Sequence, residues 1–168
     1  MAMKRWFRVQ KIGVVLRPDD PGGEDNTFFD PGHESTIEID ERWADGLDGI
    51  EEFSHVVVLF YLDRMPRRRT AGQRRAADDA PDAMKVGFFS TRTPKRPNPI
   101  GLSCPRLLRR EGNRLIVRGL DAWHGTPVID IKGYYPRDEG RPDATVPEWL
   151  AELWRHHDDE RGAPFRPY

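Results

Sequence analysis

The sequence has almost no cysteine: Cys104 stands alone in 168 residues. An intramolecular disulfide framework is therefore excluded, and the composition fits a reducing compartment. Cys104 reads as a small core residue rather than a nucleophile, because nothing near it in sequence would activate the thiol. Long apolar runs are missing too, and none approaches the ~18 residues that a membrane span needs. The first ten residues, MAMKRWFRVQ, have no apolar segment after their basic ones, which argues against a signal peptide. No G-x-G-x-x-G follows a strand-like segment, so the usual dinucleotide fingerprint is absent. H-E-x-x-H and C-x-x-C metal spacings are absent as well. The expectation is a soluble, cytoplasmic chain with no membrane span and no structural metal.

What is present is charge and short strands. Charged residues make up 33% and hydrophobic ones 37%, and a net charge of −1 hides large blocks of both signs. The length suits one domain, 1–168, with a core of about residues 6–138 and a helical extension at about 145–160. WFRVQKIGVVL (6–16) and STIEID (35–40) read as strands, separated by a long loop rich in proline and glycine. ERWADGLDGIEEF reads as short helical turns. FSHVVVLFYLD (53–63) is the strongest strand. Alternation places Val56, Val58, Phe60 and Leu62 on one face, with His55, Val57, Leu59, Tyr61 and Asp63 on the other.

Residues 64–82 are Arg-rich without apolar periodicity and read as a mobile surface loop. KVGFFST (85–91) reads as a short strand, and 102–110 and 114–120 as two strands joined at Glu111-Gly112-Asn113. PVIDIKGYY follows, with Val128, Asp130, Lys132 and Tyr134 expected on one face. Thr145 and Glu148 have capping-box spacing around Pro147. The helix they start carries Val146, Leu150, Leu153, Trp154 and His157 on one stripe. Six or seven strands and one clear helix predict a mainly β protein, a small antiparallel β-barrel rather than an open sheet.

One stretch stands apart. FFSTRTPKRPNPIGLS (88–103) holds Pro94, Pro97 and Pro99, which fix their own φ, remove three amide donors and hold the preceding residues extended. Gly101 permits a close backbone approach before the strand resumes. Arg92, Lys95 and Arg96 supply cations suited to a carboxylate or phosphate. On the residues alone, a rigid surface connector and a binding segment stand side by side.

The run TRTPKRPNPIGLS resembles the signature of the TsaA/TrmO family (YaeB-like proteins), a T-R-x-x-x-R-P-N-P-I-G pattern. Two further blocks agree in order and spacing: GIEEFSHVVVLFYLDR (49–64) and GLDAWHGTPVIDIKGYYP (119–136). The similarity covers about residues 8 to 138. The resemblance implies a small β-barrel that binds S-adenosylmethionine without a Rossmann sheet. It also implies methylation at N6 of threonylcarbamoyladenosine at position 37 of tRNA, and a homodimer.

Carried over by position, the implied cofactor contacts are Arg64 and Met65, Arg92, Leu102, and the turn Ala122, Trp123, His124 and Gly125. In that picture Arg92 pairs with the methionine carboxylate, Leu102 and Met65 form an apolar wall, and amides of the glycine turn read polar edges. His124 stands where the family usually has Asp, and GEDNTFFDPGHES replaces the P-R-Q segment found in many members. Asp63, His55 and Asp130 are candidate bases, with no catalytic residue assigned. Asp130 and Lys132 read first as an internal ion pair, His55 as structural, and His156-His157-Asp158-Asp159 as a solvated helix end. Arg64, Arg67, Arg68, Arg69, Arg74 and Arg75 put six cations in twelve residues, an arm suited to tRNA phosphates. A non-catalytic S-adenosylmethionine-binding sensor and a cofactor-free nucleic-acid binder are the alternatives.

Overall fold

The computed structural model describes residues 8–17, 31–65, 75–76 and 85–161. The start of the first expected strand (Trp6, Phe7), loop residues 18–30, and Arg67, Arg68, Arg69 and Arg74 lie outside the described residues. Contacts divide the chain into two compact units, residues 1–65 with 99–135 and residues 66–98 with 136–168.

The strands in chain order are β1 (Gly13–Leu16), β2 (Glu34–Ile39), β3 (Val56–Tyr61), β4 (Arg75–Ala76), β5 (Lys85–Val86), β6 (Ile100–Ser103), β7 (Arg106–Glu111), β8 (Arg114–Arg118) and β9 (Pro127–Gly133). The first unit is a seven-stranded antiparallel sheet in the order β6-β3-β9-β1-β2-β8-β7. The mainly β expectation is met, but the sheet does not close into a barrel ladder. Among the described residues, the approach to β3 reaches β7 through a single bridge between His55 and Arg106. Two amide bonds flank it, Val56 N to Pro105 O at 3.2 Å and Leu107 N to Ser54 O at 2.9 Å. Glu41–Leu47 and Ile50–Glu52 form the short turns expected between β2 and β3, both 3₁₀.

Period-2 alternation builds the core. Val56, Val58 and Phe60 of β3 pack with Val15, Ile37, Ile39, Leu107, Leu115, Val117, Leu120 and Val128. Each such side chain contributes roughly 1.5–3 kcal/mol by leaving water, so this layer outweighs the surface ion pairs, worth about 0–1 kcal/mol apiece. Gly101 answers part of the question raised by the proline-rich run. It sits opposite Phe60 in the β3–β6 ladder, and a Cβ there would lie 2.2 Å from the Phe60 ring.

Four expectations need correction. The strand read over 102–110 is two strands, broken at Cys104-Pro105, because Pro105 has no amide for the ladder. Cys104 sits at that break and is exposed rather than in the core. The shared face of Val128, Asp130 and Lys132 is broken by a β-bulge: Leu59 pairs with Asp130 while Phe60 pairs with Val128. The extra residue, Ile129, turns Val128 into the core and leaves Asp130 on the opposite side. Asp130 and Lys132 do form an ion pair, but an exposed one rather than an internal brace.

In the second unit, Arg75–Ala76 pairs with Lys85–Val86, so the Arg-rich segment is not entirely loop. KVGFFST keeps strand geometry only at its first two residues, then tightens into a 3₁₀ turn at Phe88–Ser90. A short α1 (Pro136–Glu139) precedes α2 (Glu148–Arg161). Helix α2 starts at Glu148, two residues later than a Thr145 cap requires. Pro147 instead supplies the carbonyl that accepts from Leu150 and Ala151. Its expected apolar stripe is only partly covered, since Val146 and Trp154 are exposed.

Candidate functional site

Gly125 is the pivot of the site. Thr126 N donates to Trp123 O at 3.1 Å, closing a four-residue turn. The third residue of that turn, Gly125, has φ of +82°, the left-handed geometry that favours glycine at this position. The turn is stitched to β1 on both sides: Gly125 N donates to Val15 O at 2.8 Å, and Val15 N to Thr126 O at 3.0 Å. Ala122 and Thr126 are buried beneath it.

Arg64 reaches the same turn from the end of β3. Its guanidinium donates to the carbonyl of His124 at 3.0 Å and lies 5.8 Å from the centre of the Trp123 ring, within cation–π range. Arg64, Trp123, His124 and Gly125 therefore come together in direct contact. Leu102 and Met65 lie on elements that lead to this end of the unit. Met65 N caps the strand exit by donating to Leu62 O at 3.1 Å, and Leu62 N donates to Pro99 O at 2.8 Å. Leu102 pairs across the ladder with Leu59 and is exposed. Its neighbour Ser103 accepts from the amide of Asp121 at 3.4 Å.

Arg92 belongs to the second unit and is exposed. Arg96, read as a ligand cation, is engaged inside that unit, donating to the carbonyls of Phe88 and Thr91, each at 2.9 Å. Sequence reasoning missed Arg17. It is 6% exposed, its amide donates to His124 Nδ1 at 3.0 Å, and its guanidinium points at Ala122 O at 3.5 Å. No signal in a single sequence distinguishes such a buried arginine from the solvated one an R-P loop start implies. Asp121, exposed as a residue, has its carboxyl pushed above the ordinary range by desolvation, with Arg17 pulling it back down. Beside the turn, His124 lines a groove of about 340 Å³ with Leu16, Thr36, Glu111, Arg114 and Ile116, at the small end of ligand-pocket volumes.

Among the candidate bases, Asp63 is next to Arg64 at the strand exit and is exposed. His55 stands at the opposite end of β3, bonded through its carbonyl to Tyr134 N at 3.1 Å. At about 3.3 Å per residue the two ends lie on the order of 25 Å apart, so His55 is far from the turn. Among the described residues, no group of three or more His, Cys, Asp or Glu is placed to hold a metal ion. No helix among them is long and apolar enough to cross a membrane.

Fold and site together define an antiparallel β protein that presents a cation-braced glycine turn at one end of its sheet. Residues 25–139 match the family model of the tRNA-methyltransferase O N-terminal domain. The chain belongs to this TsaA/TrmO family. An S-adenosyl-L-methionine-binding protein of Archaeoglobus fulgidus is 40% identical over 131 residues, covering 76% of this chain and 89% of that protein. A human tRNA (adenine(37)-N6)-methyltransferase is 41% identical over 88 residues, covering 52% of this chain and 20% of that enzyme. The crystal structure of TrmO from Pseudomonas aeruginosa superposes with a TM-score of 0.63 at 26% identity, covering 95% of this chain and 76% of that one.

Proposed function

We propose that this chain is an S-adenosylmethionine-dependent methyltransferase that acts on tRNA, at N6 of threonylcarbamoyladenosine in position 37. The observation that carries the reading is the brace of Arg64 on the Trp123-His124-Gly125 turn, in a chain of this family. The residues fit a ligand with a purine, a carboxylate and a cationic centre. Trp123 offers an aromatic face, Arg64 a cation and the turn its backbone groups. The bound cofactor would supply the methyl group. The protein's own task is alignment, since an in-line displacement is accelerated chiefly by holding donor and acceptor in register. Arg64, Met65, Leu102 and Ala122–Gly125 would hold the donor. The reading takes residues 1–168 as one functional domain and carries with it a cytoplasmic homodimer.

A second reading has specific support. The chain spans nearly all of the A. fulgidus protein, named only for binding S-adenosylmethionine, but a fifth of the human enzyme. A binding module without transfer activity accounts for that coverage. Calorimetric titration with S-adenosylmethionine tests the site common to both readings. Radiolabelled methyl transfer to tRNA from cells lacking this protein separates them, since transfer supports the enzyme and tight cofactor binding without transfer supports the module.

A further inference from the structure

Phe89 is 76% exposed, yet the turn that carries it is held by several hydrogen bonds. The carbonyl of Phe88 accepts from the Arg96 guanidinium at 2.9 Å and from the Thr91 hydroxyl at 3.1 Å. Arg96 also donates to Thr91 O at 2.9 Å. Ser90 N donates to Gly87 O at 2.9 Å, closing the 3₁₀ turn. The Arg96 guanidinium sits 5.6 Å from the Phe89 ring centre, and the Phe88 ring centre lies 4.2 Å away with its plane tilted by 53°. Arg96 and Phe88 brace the ring while most of its surface stays open to water. It is a preformed surface for something that stacks.

The charge around it indicates what stacks. From Lys85 to Asn98 the chain carries Lys85, Arg92, Lys95 and Arg96 and no acidic residue, although the whole sequence has 28 of them. The segment bends at Pro94 and again at Arg96–Asn98, and Arg96 N donates to Pro94 O at 2.9 Å, so it folds back on its own turn and keeps its cations near Phe89. An exposed aromatic ring beside a cationic loop is the combination that binds unpaired nucleotides, with the ring under a base and the cations on its phosphates. A protein partner would ask for a contiguous apolar patch with few charges at its centre, and a lone ring among cations is the reverse.

We propose that Phe89, clamped by Arg96, is a stacking platform for an unpaired base of an RNA loop, with Lys95 on a flanking phosphate. The proposal rests on tRNA being the acceptor. The test is fluorescence anisotropy with a labelled RNA hairpin bearing an anticodon-sized loop, using the full chain. Phe89→Ala should weaken binding roughly 5- to 100-fold, the range for loss of one stacked base. The salt dependence should be unchanged, because no phosphate contact is lost. Phe89→Trp should bind like the parent, which also controls for folding. Lys95→Ala should lower the salt slope by about 0.7–0.9 for the one phosphate contact removed. S-adenosylmethionine affinity should be the same in all three variants. If the parent binds the hairpin and Phe89→Ala binds it equally well, the platform is overturned while the tRNA reading stands. If the parent itself binds no RNA, the tRNA reading fails and takes the platform with it. A change in oligomeric state with unaltered RNA binding would overturn the platform and make Phe89 a contact between protein chains.

Discussion

The backbone amide of Arg17 donates to Nδ1 of His124 at 3.0 Å, joining residues 107 positions apart. An accepting Nδ1 requires the ring proton on Nε2, so one bond sets both the tautomer and the tilt of the ring. An aspartate at position 124 would also offer that amide an acceptor oxygen. His124→Leu should strip the Arg17 amide of its acceptor and cost about 1–3 kcal/mol. His124→Asp should lose clearly less. Urea midpoints of the two variants measure the difference, and equal midpoints would show that the bond contributes nothing.

Gly101 faces the Phe60 ring so closely that an added Cβ would lie 2.2–2.7 Å from three of its atoms. Gly101→Ala should therefore destabilise the chain by about 1–3 kcal/mol through overpacking. Phe60→Leu in the same chain should recover part of that loss, because the clash is with the ring itself. A double-mutant cycle in urea reads the coupling directly. Strict additivity would place the strain elsewhere.

These two pairs mark how far the sequence carries the structure. The core face of β3 was legible because Val56, Val58 and Phe60 alternate, and alternation has one physical meaning. Gly101 was legible as a close approach, though not as the seat of Phe60, which depends on ladder register. The Ile129 bulge was illegible, because inserting one residue leaves the hydrophobic pattern of PVIDIKGYY looking regular. The cofactor role of the turn at 122–125 was legible only through the family resemblance. Arg64 on Trp123 and Arg17 on His124 are tertiary meetings across 59 to 107 positions, and no local pattern encodes them. Arg96 reads in sequence as a third ligand cation, yet its guanidinium is given to two backbone carbonyls of its own turn.

His55 links stability to pH. Its pKa is lowered from the ordinary 6.5, by desolvation first and then by the charge of Arg106. Its Nε2 is buried with no hydrogen-bond partner, and the ring meets Tyr134 edge-on at 6.3 Å. Protonation is thus harder in the folded chain than in the unfolded one. This contribution to stability is fully present above the unfolded value and is lost as pH falls through the lower folded value. Thermal midpoints of the parent should drop on acidification below about pH 6.5 more steeply than those of His55→Gln. Parallel profiles would remove His55 as a source of acid sensitivity.

Gly125 has φ of +82°, and the nearest atom to an added Cβ is the Arg64 guanidinium at 3.5 Å. Space is therefore adequate for a methyl group, and the penalty is backbone strain, roughly 1–2 kcal/mol for a residue with a Cβ. Gly125→Ala should lose that much stability yet still bind S-adenosylmethionine weakly. Gly125→Val, branched and facing Arg64, should lose binding while far-ultraviolet circular dichroism keeps its β signal. Normal cofactor affinity in the valine variant would place the ligand away from this turn.

Arg64 is exposed at the end of β3, so its bond to His124 O and its place over Trp123 add little to folding, less than about 1 kcal/mol. A residue that holds a ligand combines such a small loss of stability with a large loss of affinity. Arg64→Ala should lower the urea midpoint only slightly and weaken S-adenosylmethionine binding by about 1.5–3 kcal/mol, the range for a charge-assisted bond. Arg64→Lys should restore little of it. Lysine keeps the charge, but its compact ammonium cannot stack flat on Trp123 while bonding a carbonyl and a ligand. Calorimetry on the three proteins decides the matter. Full affinity in Arg64→Lys would reduce Arg64 to a point charge, and full affinity in Arg64→Ala would leave it a surface strut with no part in the site.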